Sequence, residues 1–144
     1  MTMTVYSQNE GSKTPNATIE TGGSISIMGS REVSSRNSFI TPEQGMRFIA
    51  LDILINNQTG RRDIELEGIW GGSFEIRDEE GRRYVPDFMT YDLVEPSMDI
   101  TTTIERGELL RGWVTFSILR DTPINGLRFR LNTDIRSEWI TISN

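Results

Sequence analysis

The sequence contains no cysteine and no histidine among its 144 residues. Their absence excludes disulfide bonds, thiol nucleophiles, zinc sites built on cysteine and histidine, and any catalytic triad with a histidine base. Lysine occurs once, at Lys13, so catalysis would have to rest on carboxylates, hydroxyl groups, tyrosine, arginine or this single lysine. A chain without cysteine is compatible with either redox environment, and the composition therefore indicates no compartment.

Long apolar runs and excess positive charge are also lacking. The longest apolar run, FIALDILI at residues 48–55, is interrupted by Asp52 and is far shorter than the roughly 20 apolar residues that span a bilayer. The 15 basic and 21 acidic residues give a formal net charge of −6, which disfavours nonspecific binding to nucleic acids and anionic membranes. The opening MTMTVYSQNEGSK has no basic start or apolar segment of a signal peptide, so we expect an intracellular chain or one that has lost its leader.

What the chain does contain is a succession of short strands separated by turn residues. Residues 1–24 are rich in Thr, Ser, Asn and Gly and predict a flexible leader, followed by a single domain over residues 25–144. The alternating, β-branched segments of this domain predict about eight or nine strands and an all-β antiparallel sandwich. The segments that predict strands or hairpins are residues 24–33, 46–57, 63–70, 73–85, 98–108, 108–118, 126–131 and 138–144.

Three segments in a fixed order carry a resemblance to a known family. They are PEQGMRFIALDILINNQT, FEIRDEEGRRYVPD and IERGELLRGWVTFSI. In this order and spacing they resemble a prokaryotic family of immunoglobulin-like sandwiches, a domain of unknown function related to the mycobacterial immunoprotective secreted antigen. The same family is sometimes labelled telomeric-repeat-binding-factor-like. The resemblance covers about residues 25–132.

The resemblance implies an immunoglobulin-like antiparallel β-sandwich outside the cytoplasmic membrane, behind a leader or lipid-anchor cysteine and a Ser/Thr-rich linker. Residues 1–24 are similar to such a linker, whereas no leader or anchoring cysteine occurs in this sequence. The family has no established catalytic residues or cofactor, so the resemblance favours a non-enzymatic binding or adhesion-type module with a protein or cell-surface ligand. The alternatives are a self-associating structural subunit and, third, a carboxylate-based hydrolase.

A tryptophan on a polar strand face suggests a covered surface. In residues 108–118 the side chains of Leu110, Val114, Phe116 and Ile118 share one face, and Trp113 lies on the other. The loop DFMTYDLV at residues 87–94 is unusually apolar, and such a loop either folds back over a sheet or meets a partner. The predicted contact surface therefore consists of Phe88, Met89, Tyr91 and Trp113. Cover by the 87–98 segment or the leader is the first interpretation, and a partner or second copy is the alternative.

Acidic residues supply the candidate metal site. Asp78, Glu79 and Glu80 lie in a tight turn and offer oxygen ligands for Ca²⁺. Their spacing is not that of a known calcium loop, so a solvated hairpin turn is the competing interpretation. Asp52 interrupts an apolar strand, and we expect it to lie on a half-exposed face and bind a neighbouring arginine.

Arginines follow one face of the strand GLRFRL, where Arg128 and Arg130 alternate with apolar residues. Together with arginines in turns, they suggest an anion-binding surface, although an ordinary exposed sheet face has the same alternation. The basic face shows no interleaved aromatic residue in the local sequence, which argues against nucleic-acid binding. The turn arginines are Arg61, Arg62, Arg82 and Arg83.

Overall fold

This computed structural model describes residues 14–34, 40–68, 72–87 and 89–143. The described part of the chain contains ten β-strands. Two four-stranded sheets are packed face to face, and two short strands form a third, small sheet. The strands are β1 (Asn16–Thr18), β2 (Ser24–Val33), β3 (Met46–Asn56), β4 (Ile64–Glu65), β5 (Phe74–Arg77), β6 (Arg83–Tyr84), β7 (Thr103–Ile104), β8 (Leu109–Leu119), β9 (Arg128–Leu131) and β10 (Ile140–Thr141).

All the strand pairs in these sheets are antiparallel. The first sheet has the order β1-β2-β3-β8, the second has the order β10-β9-β5-β6, and β4 pairs with β7. Strands β3 and β8 pair along their full eleven residues, from Met46 opposite Leu119 to Asn56 opposite Leu109. This pairing forms the backbone of the first sheet and fixes which side chains of β8 face the core.

The core lies between the two large sheets and is built from alternate residues of each strand. In β3 the inward residues Ile49, Leu51, Ile53 and Ile55 are fully buried, as the period of two requires for one face of a sheet. The second sheet contributes Phe74, Ile76, Phe129 and Leu131 to the same cluster. The predicted antiparallel β-sandwich is confirmed.

The ordered sheet begins earlier than the predicted boundary at residue 25. Within the range assigned to the leader, β1 pairs with β2, and Ile19 is fully buried and bridges Ser137. Strand β1 has three residues and is too short to show an alternating pattern, so the polar composition of residues 1–24 predicts a flexible leader there. Residues 1–13 lie outside the described part of the chain.

Two predicted strands are shorter in the structure. Strands β4 and β7 have two residues each, and backbone hydrogen bonds from Leu66 to Thr102 and from Gly68 to Ile100 continue their pairing. The predicted hairpin at 73–85 is present as β5 and β6, with Gly81 at φ 85° in its turn. Within the described ranges, no helix has the length and apolar character needed to cross a membrane.

Candidate functional site

The outer edge of β8 is covered by residues 90–98, which we call the covering segment. The amide of Thr115 donates to the carbonyl of Tyr91 at 3.0 Å, and the amide of Trp113 donates to the carbonyl of Pro96 at 2.9 Å. The amide of Met98 returns a bond to the carbonyl of Trp113 at 3.0 Å. These bonds satisfy backbone groups that an edge strand would otherwise expose to other chains. The apolar loop therefore folds back on the sheet.

Trp113 lies in a small apolar cluster between the first sheet and the covering segment. The indole reaches across β3 towards Gly29, where a Cβ would lie 3.8 Å from the ring, and the Arg31 guanidinium is 5.7 Å from the ring centroid. The chain thus supplies its own cover for Trp113, and the observation that suggested a self-associating face has an intramolecular explanation. The cluster comprises Val33, Phe48, Ala50, Leu93 and Val94, with Ile40 and Trp113 packed against it.

Asp52 lies on this outer face and binds a neighbouring arginine, as expected, but it is buried rather than half-exposed. Its carboxylate accepts two hydrogen bonds from Arg111, from Nε at 3.2 Å and from Nη2 at 2.9 Å. The bond to Asp52, together with the charge attraction, raises the pKa of the Arg111 guanidinium. The pair explains how a carboxylate that is only 8% exposed is tolerated in an apolar strand.

The structure does not bring the predicted contact residues into one surface. Met89 is 61% exposed, whereas Tyr91 is half-buried against the main core, and Trp113 belongs to the separate outer cluster. Phe88 lies outside the described residues. A contact surface at these four positions therefore stays a prediction.

The predicted calcium residues form a hydrogen-bonded hairpin turn. Asp78 is buried, and its Oδ1 accepts the amides of Glu80 and Arg82, while its Oδ2 accepts the Arg82 guanidinium and the Tyr84 hydroxyl. Burial alone would raise the pKa of Asp78, but these hydrogen bonds hold it below its usual value. Both oxygens of Asp78 are thus engaged by the turn. In the described ranges, no group of three acidic residues is arranged to hold a metal ion.

A cleft of about 380 Å³ lies between this turn and the loop at 119–127. Glu79, Glu80 and Asp121 line it together with Asp78. General acid–base catalysis needs a carboxyl group that is free to exchange its proton with a substrate, and Asp78 is already committed to four donors. Asp78 is therefore unsuited to that role, and the hydrolase hypothesis stays a prediction.

A different group of charged residues meets on the outer face of the second sheet. Glu75 has no solvent exposure, although it points away from the core. Its Oε1 accepts Nε of Arg130 at 2.7 Å, and its Oε2 accepts Nε of Arg83 at 2.8 Å and Nε of Arg77 at 3.1 Å. Strands β5, β6 and β9 each provide one of these arginines, so the register of the sheet assembles the group.

Trp139 extends this group towards β10. Cζ of Arg130 lies 4.4 Å from the centroid of its ring, and Cζ of Arg128 lies 4.8 Å from it. Guanidinium groups at this distance are attracted by the ring and are held in place. We call this surface the arginine face; it consists of Glu75, Arg77, Arg83, Arg128, Arg130 and Trp139.

Charge is strongly unbalanced on the arginine face. Burial by itself would raise the pKa of Glu75, but the hydrogen bonds from Arg130, Arg83 and Arg77 together hold it below the ordinary value of 4.5. Glu75 is therefore ionised at neutral pH. Four guanidinium groups against one carboxylate leave this face three charges positive, on a chain whose formal net charge is −6.

The sequence indicated part of the arginine face. The alternation of GLRFRL predicts that Arg128 and Arg130 share one strand face. The aromatic residue on this face is Trp139, which lies just before β10 and is therefore not visible in the local sequence of β9. Of the four turn arginines, Arg83 joins the face. The others bind elsewhere: Arg61 to the Glu20 carbonyl, Arg62 to Asp134 and Arg82 to Asp78. Glu75 was missed, although its position in the alternation of FEIR places it on the outer face.

Comparison with known proteins identifies the family and the fold. The model of the family described as "Domain of unknown function (DUF4352)" matches residues 16–138. No curated protein matches the chain. The resemblance to a family related to the mycobacterial secreted antigen is confirmed.

Three crystal structures share the fold at low sequence identity. A candidate lipoprotein (ycdA) of Bacillus subtilis has a TM-score of 0.60 at 9% identity; the alignment covers 92% of this chain and 39% of that protein. A conserved hypothetical protein of Bacillus anthracis has a TM-score of 0.54 at 16% identity, covering 92% of this chain and 100% of the other. The secreted protein MPT63 of Mycobacterium tuberculosis has a TM-score of 0.50 at 12% identity, covering 88% and 92%.

Proposed function

The chain belongs to the DUF4352 family of domains of unknown function, and from this premise we propose that it is a non-enzymatic binding module that acts outside the cytoplasmic membrane. Two proteins that share its fold are described as a candidate lipoprotein and as a secreted protein. These descriptions support an extracytoplasmic location.

The observation that carries the proposal is the arginine face. Binding surfaces on β-sandwiches depend on side chains that a rigid scaffold holds in place. Three guanidinium groups are held by one buried carboxylate, and two stack on a tryptophan. This face concentrates positive charge on an acidic chain, so it is suited to a negatively charged partner of the cell envelope.

Co-sedimentation with cell envelopes tests the proposal. The purified chain should pellet with the envelope fraction of the organism that encodes it, and Arg128→Gln should reduce the pelleted fraction because it removes an exposed charge of the arginine face. Arg106→Gln is the matched control, since it makes the same charge change at an exposed position outside this face.

Cell fractionation provides a second measurement for the same proposal. The native protein should be recovered from the envelope or the culture medium. Recovery in the cytosolic fraction, or pelleting no greater than in the absence of envelopes, would contradict the proposed function.

A further inference from the structure

We propose that the arginine face is a phosphate-binding site that uses the Nη groups of Arg83 and Arg130, with Arg128 at its edge. This inference names the chemistry of the ligand. It rests on the proposed function only for the location of that ligand in the cell envelope. The chemistry recognised is a phosphate group with at least two unesterified oxygens or several linked phosphates.

The first argument is the way in which Glu75 engages its arginines. A guanidinium has one N–H on Nε and four on its two Nη atoms. Arg77, Arg83 and Arg130 each use Nε to bind Glu75. Of these three arginines, only Arg77 makes an Nη hydrogen bond to another described residue, a long one of 3.4 Å to the Gly81 carbonyl. The Nη donors of Arg83 and Arg130 are therefore available for a ligand.

The second argument is that these side chains are held in position before any ligand arrives. Glu75 holds Arg83 and Arg130, and Trp139 packs on the guanidinium of Arg130. Gly72, at φ 65°, leaves the space that Arg83 occupies, since a Cβ there would lie 2.6 Å from Nη2. Side chains already restrained in the free protein lose little entropy on binding, which favours affinity.

The third argument distinguishes phosphate from carboxylate. A carboxylate presents two oxygens that lie in one plane. A phosphate presents oxygens in a tetrahedral arrangement and accepts from several forks that approach from different directions. Arg83 and Arg130 come from strands on opposite sides of β5 and bind different oxygens of Glu75, so the two guanidinium groups flank this carboxylate. This arrangement favours phosphate.

The fourth argument is electrostatic. Arg128 and Arg130 of β9 both lie near the ring of Trp139, and Arg77 of β5 lies opposite Arg128 in the sheet register. The resulting excess of three positive charges attracts a polyvalent anion, whereas the acidic remainder of the chain repels it elsewhere. Binding at such a surface should weaken as the salt concentration rises.

Calorimetric titration of the intact chain with inorganic tripolyphosphate at low ionic strength tests the inference. We expect saturable binding of one equivalent, weakened about tenfold in Arg128→Gln, which corresponds to about 1.4 kcal/mol. Arg128 makes no bond to Glu75, so this variant keeps the buried ion pairs and should fold. Arg106→Gln, the matched control, should bind as the wild type does.

Three further ligands identify the source of the phosphate and test the selectivity. Binding to phosphatidylglycerol vesicles as well as tripolyphosphate, but not to phosphatidylcholine vesicles, would support a lipid headgroup as the source. Binding to tripolyphosphate alone would support a soluble or polymer-borne phosphate. Poly-glutamate should bind more weakly than tripolyphosphate, and equal affinity would overturn the preference for phosphate.

The outcomes separate this inference from the proposed function. No saturable binding of tripolyphosphate, or unchanged affinity in Arg128→Gln, would overturn the phosphate site even if the chain pellets with envelopes. Conversely, phosphate binding by a protein that is recovered only from the cytosol would overturn the proposed function and leave the site in place.

Discussion

Replacing Glu75 by glutamine removes the negative charge that holds the arginine face together. Each charge-assisted hydrogen bond contributes roughly 1.5–3 kcal/mol, and Glu75 accepts three of them. The arginine partners are 22–44% exposed, so water replaces part of each lost bond. Glutamine also retains one acceptor oxygen. We therefore expect Glu75→Gln to lower the free energy of unfolding by about 2–4 kcal/mol at pH 7.

The loss should depend on pH in a defined direction. Because its arginines hold the pKa of Glu75 below 4.5 in the folded protein, ionised Glu75 stabilises the fold fully above pH 4.5. This contribution is lost as the pH falls through the lowered folded pKa. The difference in unfolding free energy between wild type and Glu75→Gln should therefore be largest near neutral pH and shrink in acid.

Urea and thermal unfolding of both proteins between neutral and acidic pH measure this difference. For a chain of this length, each kcal/mol changes the Tm by about 2–4 °C, so we expect a decrease of roughly 4–16 °C at pH 7. Glu43→Gln is the matched control, because Glu43 is exposed and has no ion pair with the described residues. A loss below about 0.5 kcal/mol at pH 7, within the range of ordinary surface substitutions, or a loss equal at acidic and neutral pH, would refute the reasoning.

Two further predictions concern the covering segment and the hairpin turn. Gly112→Ala would place a Cβ 2.6 Å from the backbone nitrogen of Met98, so it should lower the free energy of unfolding by about 1–3 kcal/mol. It should also speed hydrogen exchange of the Trp113 amide, which donates to the Pro96 carbonyl. Unchanged exchange would show that the covering segment adapts without detaching. Millimolar Ca²⁺ should leave the Tm unchanged because both oxygens of Asp78 are already hydrogen-bonded, and a rise that a chelator reverses would re-establish the calcium hypothesis.

The sequence predicted the features that depend on local alternation. The inward row Ile49, Leu51, Ile53 and Ile55 follows from a period of two, and the structure buries all four. The hairpin with Gly81 was likewise predictable from its turn residues. Strand β1 was not predictable, because its three residues lie in a segment rich in Thr, Ser and Asn and are too few to show an alternating hydrophobic pattern.

Only the tertiary structure shows which part of the chain covers Trp113. The alternation of its strand predicts that the indole lies on the outer face, and it leaves three covers open: the 87–98 segment, the leader and a partner. Backbone hydrogen bonds from Trp113 to Pro96 and from Met98 to Trp113 place the segment there. Gly112 leaves room for Met98, whose backbone nitrogen and Cα would lie 2.6 and 2.7 Å from a Cβ at this position.

The arginine face shows most clearly what the sequence by itself determined and what only the tertiary structure decided. Alternation determined that Glu75, Arg128 and Arg130 point away from the core. Only the pairing of β5 with β9 and β6 brings three guanidinium groups to one carboxylate, and only β10 brings Trp139 beside them. The physical reason is that side-chain alternation is set within each strand, whereas cross-strand neighbours such as Glu75 and Arg130, which are 55 residues apart, are set by the register between distant segments.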